Sequence, residues 1–292
     1  MNNEKLIVEE RSRDIGKFLV GRLLPFRKKR QVGPFTFTDH MGPITLPKGD
    51  ALTVDQHPHI GLSTLTYLLE GHIHHHDSTG ADQVIGPGDV GFMTAGKGVT
   101  HTERSPQWEK ETDNLTVHGY QIWVALPKEK EEMEPRFDYI PSGDLPSWSQ
   151  DGLNIKVVAG EAFGKQSPLP VHSPLFMVDI TAEDVSELKI KDQVQGEIAF
   201  VVVNGKVIDE GQEIGPGQML ISKSENECSI TVEKGTRLLM FGGEPLPDER
   251  FLYWNFVSSS KERLEQAKED WINHRFPKIP EDHTYIPLPG AN

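Results

Sequence analysis

The chain has 292 residues, which is too long for one typical hydrophobic core and predicts two compact domains or one large barrel. A hydrophobic content of 36%, with 21 prolines and a mean hydropathy of −0.46, disfavours an all-helical bundle. The net charge of −14 disfavours direct binding to nucleic acid and to anionic membranes, and the single cysteine, Cys228, excludes an intramolecular disulfide and any CxxC metal site.

The compartment can also be predicted from these features. The first residues, MNNEKLIVEE, contain no apolar run of signal-peptide length, and no later stretch approaches the length of a membrane span. Together with the single cysteine, this predicts a cytoplasmic protein without a membrane partner.

Short apolar runs separated by glycine and proline dominate the chain and predict an antiparallel all-β fold. In the first half they include LSTLTYLLEG, VIGPGDVGFMTAG and LTVHGYQIWVALP. A charged segment rich in loop-forming residues, from Lys128 to Trp148, interrupts this pattern and is interpreted as a linker. The pattern then resumes with LNIKVVAG, PLFMVDITA and GEIAFVVVNGKV.

Two Gly-Pro-Gly segments indicate that the halves are copies of one another. VIGPGDVGFMTAG and EIGPGQMLISKS each place an apolar residue before a Pro-Gly turn and a strand after it. The pieces LEGHI and VNGKV precede the two copies and are interpreted as hairpin turns. An internally duplicated β-domain follows.

The end of the chain changes character. Ser259 precedes Glu262 at capping-box spacing, and Leu264, Ala267 and Trp271 recur at helical intervals, which predicts one amphipathic helix. The proline-rich tail after it is expected to be an extended or disordered strap. The predicted boundaries are therefore residues 1–127 for the first domain, 128–150 for the linker, 151–247 for the second domain and 248–292 for the helix and tail.

Two pairs of polar residues are candidate metal ligands. His57 and His59 lie in DQHPHIGLST, and His101 and Glu103 end PGDVGFMTAGKGVTHTE. Because side chains alternate along a strand, each pair would face one way, and two antiparallel strands could bring three imidazoles and one carboxylate to one point. The alternative is that all four are ordinary surface or capping residues, and spacing alone leaves both interpretations open.

Such a donor set favours a particular kind of site. Three nitrogens and one oxygen suit a first-row divalent ion, and four protein ligands leave room for water, substrate or dioxygen. Because no thiolate takes part, an open catalytic site is favoured over a closed structural zinc site.

In the histidine run GHIHHHD the sequence pattern bears on which side chains point into the fold and which are exposed. If the alternation that begins at His57 continues through the run, His75 points inward with Ile73, whereas His72, His74 and His76 are exposed. Gly71 could reset this alternation by a bulge. Exposed histidines of this kind could also bind metal adventitiously.

Several motifs together resemble the pirin family, whose members are bicupins. They are VGPFTFTDHMGP, HPHIGLSTLTYLLEGHIHHHDSTG, PGDVGFMTAGKGVTHTE, and GGEPL followed by WNFVSSS, and the likeness runs from about Arg22 to Trp271. The resemblance implies an all-β fold of two tandem cupin β-barrels with a C-terminal helix. It also implies one divalent metal ion, in the first place iron(II), with nickel, manganese, copper, cobalt or zinc as alternatives. The metal ligands would be His57, His59, His101 and Glu103.

The sequence also departs from the family pattern. Ile60 stands where arginine is common and Ser63 where glutamate is common, and we expect both near the mouth of the site. The second half has no HxH pair and only Glu197 and Glu213 near its Gly-Pro-Gly copy, which implies a metal-free supporting barrel. Other positions have plain interpretations: Arg27–Arg30 as a solvated loop, Phe92 and Met93 as core or pocket wall, and Cys228 as a buried small residue.

Two functional hypotheses follow from the resemblance. The first is a metal-dependent dioxygenase that acts on a flavonol or a similar phenolic or enolic small molecule, with Glu103 as a fourth ligand or as the catalytic base. The second is a non-enzymatic, redox-responsive metalloprotein that regulates a protein partner. Either would be a monomer or a weak dimer.

Overall fold

The computed structural model describes residues 5–14, 19–111, 115–223 and 229–290, and within these residues the fold is almost entirely β. The strands up to Gln150 are β1 (Leu6–Glu9), β2 (Arg11–Asp14), β3 (Leu19–Leu24), β4 (Phe35–Leu46), β5 (Thr53–His59), β6 (Leu62–Glu70), β7 (Ile73–Asp77), β8 (Asp82–Ile85), β9 (Val90–Thr94), β10 (Val99–Arg104), β11 (Leu115–Ala125), β12 (Arg136–Ile140) and β13 (Ser147–Gln150). The later strands are β14 (Leu153–Ala162), β15 (Lys165–Gln166), β16 (Leu175–Ala182), β17 (Ser186–Lys189), β18 (Glu197–Asn204), β19 (Val207–Asp209), β20 (Gln212–Ile214), β21 (Gln218–Lys223), β22 (Ser229–Val232), β23 (Arg237–Gly243), β24 (Phe251–Tyr253) and β25 (Phe256–Ser258). Helix α1 is Lys261–Ile272, and three short 3-10 helices are Gln107–Glu111, Lys128–Lys130 and Ser142–Asp144. Cys228 lies outside the described residues.

The chain forms two compact units that are not contiguous in sequence. One, the 143–246 unit, combines Met1–Ser12, Gly21–Thr38 and Gly143–Leu246. The other, the 39–142 unit, combines Arg13–Val20, Asp39–Ser142 and Pro247–Asn292.

This division differs from the boundaries that the sequence predicts. Strand β1 pairs with β21, so the start of the chain completes a sheet of the 143–246 unit. The segment 128–150 contains strands as well as loops: β12 pairs with β9, and β13 pairs with β14. Pairing between distant strands depends on long-range contacts, which local turn and charge patterns do not reveal.

Each unit is built on two sheets, as in a jelly roll. The 39–142 unit has a four-stranded sheet in the order β5-β10-β7-β8 and most of a seven-stranded sheet in the order β12-β9-β6-β11-β4-β3-β2. The 143–246 unit has a four-stranded sheet, β17-β22-β19-β20, and an eight-stranded sheet, β1-β21-β18-β23-β16-β14-β13 with β15 on β14. The all-β, two-domain prediction with a C-terminal helix is confirmed, but the sheets do not close into barrels.

The two predicted hairpins are sheet-to-sheet corners, so the hairpin interpretation is wrong. Strand β6 pairs with β9 and β11, whereas β7, which follows it, pairs with β8 and β10. The VNGKV corner does the same, because β18 pairs with β21 and β23 and β19 pairs with β20 and β22. At the first corner Gly71 has φ +75, and a Cβ there would lie 2.5 Å from the carbonyl oxygen of Thr116, so the chain turns between layers where only glycine fits.

The Gly-Pro-Gly segments form the same turn in both units. The Gly86 amide donates to Asp89 Oδ2 over 3.0 Å, and the Gly215 amide donates to Gln218 Oε1 over 2.9 Å. In both, the second glycine of the motif has a φ near +75, at Gly88 and Gly217. A turn with proline followed by a left-handed glycine leads into β9 and β21, as the sequence predicts.

Strand β5, which carries the HPH motif, is an edge strand of its sheet, and later parts of the chain cover that edge. The Val257 amide donates to the Ile60 carbonyl over 3.2 Å, and the Ile286 amide donates to the Gln56 carbonyl over 2.9 Å. The Gln56 amide in turn donates to Thr284 Oγ1 over 3.1 Å. The tail has no regular secondary structure, yet it binds along β5 and satisfies groups that an open edge would expose.

Helix α1 begins one residue later than predicted. Ser260 is its N-cap and its Oγ accepts from the Arg263 amide over 3.2 Å, because Ser259 donates instead to Glu131. The helix buries the predicted face, Leu264, Ala267 and Trp271, in a cluster with Ile60 and Phe256. Among the described residues no helix is both long and apolar enough to cross a membrane.

A buried ion pair attaches the β24–β25 hairpin to the rest of the 39–142 unit. Arg250 Nε lies 3.0 Å from Glu131 Oε1, and the two side chains are 1% and 7% exposed. Glu131 also accepts from the Ser259 amide over 2.9 Å and from Ser258 Oγ over 3.1 Å. The carboxylate therefore holds both the start of the hairpin and the residues that follow it.

Replacing Glu131 by alanine is expected to destabilise the protein by about 3–5 kcal/mol, because it leaves the buried Arg250 charge without a carboxylate, with only backbone carbonyls such as that of Leu126 as partners. Glu132 is the matched control: its side chain is 59% exposed, it pairs with Arg263 at the surface, and its loss is expected to cost about 0–1 kcal/mol. Denaturant unfolding of each variant, after a chelator has removed any bound metal, measures both losses of stability. Equal losses in the two variants would contradict this role for Glu131.

Candidate metal centre

The candidate ligands lie on two neighbouring antiparallel strands. His57 and His59 are on β5 and His101 and Glu103 are on β10, with His101 opposite His57 and Val99 opposite His59. The register then shifts between His101 and Glu103, so that Glu103 stands opposite Val54. All four side chains are buried.

Backbone carbonyls fix the orientation of two of the imidazoles. His57 Nδ1 lies 2.8 Å from the carbonyl oxygen of Asp55, and His59 Nδ1 lies 3.1 Å from that of Asn255. A carbonyl oxygen only accepts, so each Nδ1 carries the hydrogen and each Nε2 keeps its lone pair. Asn255 connects the two short strands β24 and β25, so the C-terminal hairpin sets the tautomer of a residue on β5.

A third imidazole is oriented by a buried pair on β7. His75 Nε2 lies 3.0 Å from Asp77 Oδ2, and His75 Nδ1 lies 3.4 Å from His101 Nδ1. The Asp77 carboxylate accepts from Nε2, so a neutral His75 presents the Nδ1 lone pair to His101. His101 then donates from Nδ1 and keeps its lone pair on Nε2.

The three Nε2 lone pairs suit a metal ion. The ligand nitrogens of His57, His59 and His101 lie within 4.8 Å of one another, and His59 Nε2 is 3.1 Å from His101 Nε2. Two nitrogens about 2.1 Å from one ion and at right angles to each other are about 3.0 Å apart. With these tautomers no hydrogen lies between the two nitrogens, so a cation is the group that this spacing accommodates.

Burial keeps these imidazoles neutral. It lowers the pKa of His57 to about 4, although the hydrogen bond to Asp55 acts in the opposite direction. It also lowers the pKa of His59 and of His101 well below the ordinary value, with His57 as the next cause in both. Neutral imidazole is the ligating form, so no proton has to leave before a metal binds at neutral pH.

Glu103 stands slightly apart from the other candidates. Its carboxylate groups with His75 and His101 rather than with His57 and His59. Gln121 Nε2 donates to its Oε1 over 3.2 Å, and Thr66 Oγ1 donates to the same oxygen over 3.3 Å. Burial raises the pKa of Glu103, although His75 and these two donors act against the increase.

The four candidate ligands are all buried and differ slightly in exposure. His57 and Glu103 are each 7% exposed, whereas His59 is 1% and His101 0% exposed. Trp123 packs edge-on against His59 with ring centroids 5.1 Å apart.

The prediction for the histidine run is confirmed in direction. Ile73, His75 and Asp77 are buried, and His72, His74 and His76 are half-buried on the opposite face. The structure shows that Ile60 and Ser63, which the sequence predicts near the mouth of the site, are both buried. Ile60 is 1% exposed and packs against Phe256 and helix α1, and Ser63 is fully buried with its Oγ 3.0 Å from Thr94 Oγ1.

The structure also shows the surroundings of the other residues that the sequence analysis singled out. Met93 is core, packed with Ala95 and Val99. Glu197 accepts from the Gly33 amide over 2.9 Å and from Lys29 over 2.5 Å, so one residue of the basic run has a structural partner. Glu213 pairs with Lys206 at 2.9 Å. Among the described residues, the groupings of candidate ligands lie in the 39–142 unit.

Sequence reasoning missed three residues that support the site, namely Thr66, Asp77 and Gln121. Thr66 and Gln121 stand opposite each other on β6 and β11, and the Thr66 hydroxyl lies 2.8 Å from Gln121 Oε1. The alternation that places His75 inward also places Asp77 inward, so that signal was present in the sequence. Nothing in the spacing connects Gln121 with Glu103.

Comparison with known proteins gives consistent matches. A family model described as Pirin matches residues 17–124, and one described as Pirin C-terminal cupin domain matches residues 177–277. A pirin-like protein of Caulobacter vibrioides is 44% identical over 97% of this chain and 99% of its own length. A crystal structure of quercetin 2,3-dioxygenase from Acinetobacter baumannii has a TM-score of 0.89 at 38% identity and covers 99% of this chain and 95% of that one. The bacterial pirin YhhW of Escherichia coli, in complex with nickel(II), shares the fold with a TM-score of 0.66 at 19% identity, over 83% of this chain and 100% of that one.

Substitution of single ligands tests the site. Replacing His57 or His101 by alanine is expected to remove the ion held by this cluster, because each substitution removes one of three convergent nitrogens. The measurement is metal content after purification without an affinity tag, with His72→Ala as a control in the same unit. A metal content in the His57→Ala, His59→Ala double variant equal to that of the unaltered chain would show that these nitrogens do not hold the ion.

The low pKa of His57 predicts that the protein, once a chelator has removed any metal, becomes less stable as the pH falls. Between its unfolded value of 6.5 and its folded value of about 4, only the unfolded state takes up the proton, so stability falls as pH falls through this window. The difference corresponds to about 3 kcal/mol from this residue. Denaturant unfolding between pH 7 and pH 4 should show a smaller decline for His57→Gln than for the unaltered chain. Identical slopes would show that His57 is not the titrating group.

Proposed function

Because the chain belongs to the pirin family, we propose that its 39–142 unit binds one divalent ion and that the holoprotein is a dioxygenase acting on a flavonol or a related phenolic or enolic compound. The observation that carries the proposal is the 3.1 Å separation between His59 Nε2 and His101 Nε2, both lone-pair nitrogens at neutral pH. The likeness to the Acinetobacter baumannii quercetin 2,3-dioxygenase over nearly the whole of both chains supports the substrate class.

Iron(II) is the proposed ion. Three imidazoles with an adjacent carboxylate are hard-to-borderline donors that suit first-row divalent ions, and an iron site with unfilled positions matches dioxygen chemistry. When bound, the ion would polarise a substrate oxygen and supply the redox partner for dioxygen. His57, His59 and His101 are proposed as its ligands, and Glu103 as a fourth ligand or as the base.

The chain's own groups support the role of Glu103 as a base. Both hydrogen-bond donors found among the described residues, Thr66 and Gln121, contact Oε1, so Oε2 is the oxygen that can receive the proton of a substrate hydroxyl. Burial raises the pKa of Glu103, and a bound cation nearby would lower that pKa again and so favour the carboxylate.

The remaining residues orient the reactants and exclude water. Asp55 and Asn255 carbonyls hold His57 and His59 in their ligating tautomers, and Trp123 covers the side of the site next to His59. Such fixed geometry reduces the reorganisation that a reaction needs at the moment of proton transfer.

The test compares Glu103 with the histidines. Oxygen uptake by the iron-loaded protein on a flavonol such as quercetin is expected, and His101→Ala should lose metal and activity together. Glu103→Gln keeps the size and one oxygen but removes the basic carboxylate, so metal content should largely survive while the rate falls about a hundred- to ten-thousand-fold. Thr94→Ser, a buried hydroxyl outside the site, is the matched control.

Two outcomes would contradict parts of this proposal. A Glu103→Gln variant with full metal and full rate would show that Glu103 is not the base. Fully iron-loaded protein that consumes no oxygen on any flavonol would remove the enzymatic function and favour the metalloprotein that regulates a protein partner.

A further inference from the structure

A second group of metal-ligating side chains lies on the outer face of the sheet that carries the candidate centre. His74 and His76 alternate with the inward His75 on β7, and Asp82 on β8 stands directly opposite His76. His74 Nε2 lies 2.6 Å from Asp82 Oδ1, and His76 Nε2 lies 3.2 Å from the same oxygen. The two imidazole rings are 4.0 Å apart between centroids.

We propose that His74, His76 and Asp82 form a second, solvent-accessible site for a borderline divalent transition ion such as zinc. One ligand atom from each residue lies within 4.8 Å of the other two, a separation from which small side-chain movements could bring all three onto one ion. Two imidazoles and one carboxylate suit zinc, nickel or copper rather than calcium or magnesium, which require mostly oxygen ligands. Three protein ligands on an exposed face leave the remaining positions to water.

The alternative is a hydrogen-bonded surface cluster with no ion. In that arrangement both imidazoles donate to one carboxylate oxygen. The two rings pack closely, and each histidine side chain is about one-third exposed. For an ion to bind both Nε2 atoms and the carboxylate, each neutral imidazole would carry its hydrogen on Nδ1 instead of Nε2. Burial, with His74 as the next cause, lowers the pKa of His76, so this ligand is neutral at pH 7.

Nearby charge does not oppose a cation at this position. The residue opposite His74 on β10 is Arg104, and its guanidinium is committed to Asp55 at 3.0 Å and to Asp282 at 2.8 Å. Asp82 keeps its negative charge at neutral pH, because the hydrogen bond from His74 lowers its pKa, whereas its slight burial acts in the opposite direction.

The outer site is independent of the inner one in its ligands. His75, between His74 and His76, faces inward and contacts His101, so one strand presents different histidines to the two faces of its sheet. The same run also supplies a matched control. His72 lies on the outer side of the corner, but its Nδ1 is 2.6 Å from Glu109 Oε1 and its ring packs against Trp108.

The experiment titrates zinc into full-length protein, purified without an affinity tag and with the inner site filled, against a chromophoric chelator. The unaltered chain is expected to take up one further equivalent. His74→Gln, His76→Gln and Asp82→Asn should each weaken it by about tenfold or more, and His72→Gln should not. Zinc should also raise the melting temperature of the unaltered chain and not that of the His74→Gln, His76→Gln double variant, because an ion that joins β7 to β8 stabilises only the folded state.

Three results would overturn the proposal. The first is no uptake beyond the inner equivalent. The second is full uptake by the His74→Gln, His76→Gln double variant. The third is equal weakening in His72→Gln, which would mean diffuse, adventitious binding along the run. The His57→Ala variant should still bind the outer equivalent, so failure of the inner site and failure of the outer one give different results.

Discussion

The convergence of three imidazole lone pairs inside a protein interior is the constraint on which the 39–142 unit depends. Burial keeps His57, His59 and His101 uncharged, and His59 Nε2 lies 3.1 Å from His101 Nε2. Lone pairs that face each other at this distance repel unless a cation joins them. Each imidazole therefore needs a second contact that fixes its ring, and the sources of those contacts explain why three separate parts of the chain meet here.

The supporting contacts come from β5 itself, from β7 and from the β24–β25 hairpin. The Asp55 carbonyl acts within one strand, whereas Asp77 acts through His75 and the Asn255 carbonyl comes from a segment almost two hundred positions later. That hairpin is in turn held by the buried Glu131–Arg250 pair. A charge pair with no ligand role thus lies in the series of contacts that orients His59, and site geometry and fold stability share residues.

Much of this could be predicted from the sequence because it depends on local rules. Alternation along a strand gave the facing of His57 with His59 and the inward direction of His75, and the Gly-Pro-Gly turns predicted where β9 and β21 begin. What could not be predicted depends on register and on long-range pairing. Gln121 meets Glu103 only because β11 pairs with β6, Ile60 is covered by helix α1, and β1 completes a sheet with β21. The hairpin interpretation of LEGHI failed for the same reason, since a tight turn has the same composition whether its strands pair or pass to different sheets.

The strap along β5 also sets an order of events during synthesis. Thr284 Oγ1 accepts a hydrogen bond from the Gln56 backbone amide and lies 228 positions after Gln56 in the sequence. Asn255 lies 196 positions after His59. On the ribosome the HPH strand therefore emerges long before the groups that cover its edge and orient its second histidine. Until those residues have been translated, β5 is an uncovered edge with one imidazole not yet locked in its ligating tautomer. The candidate metal centre can therefore be completed only after the chain has been translated through Thr284.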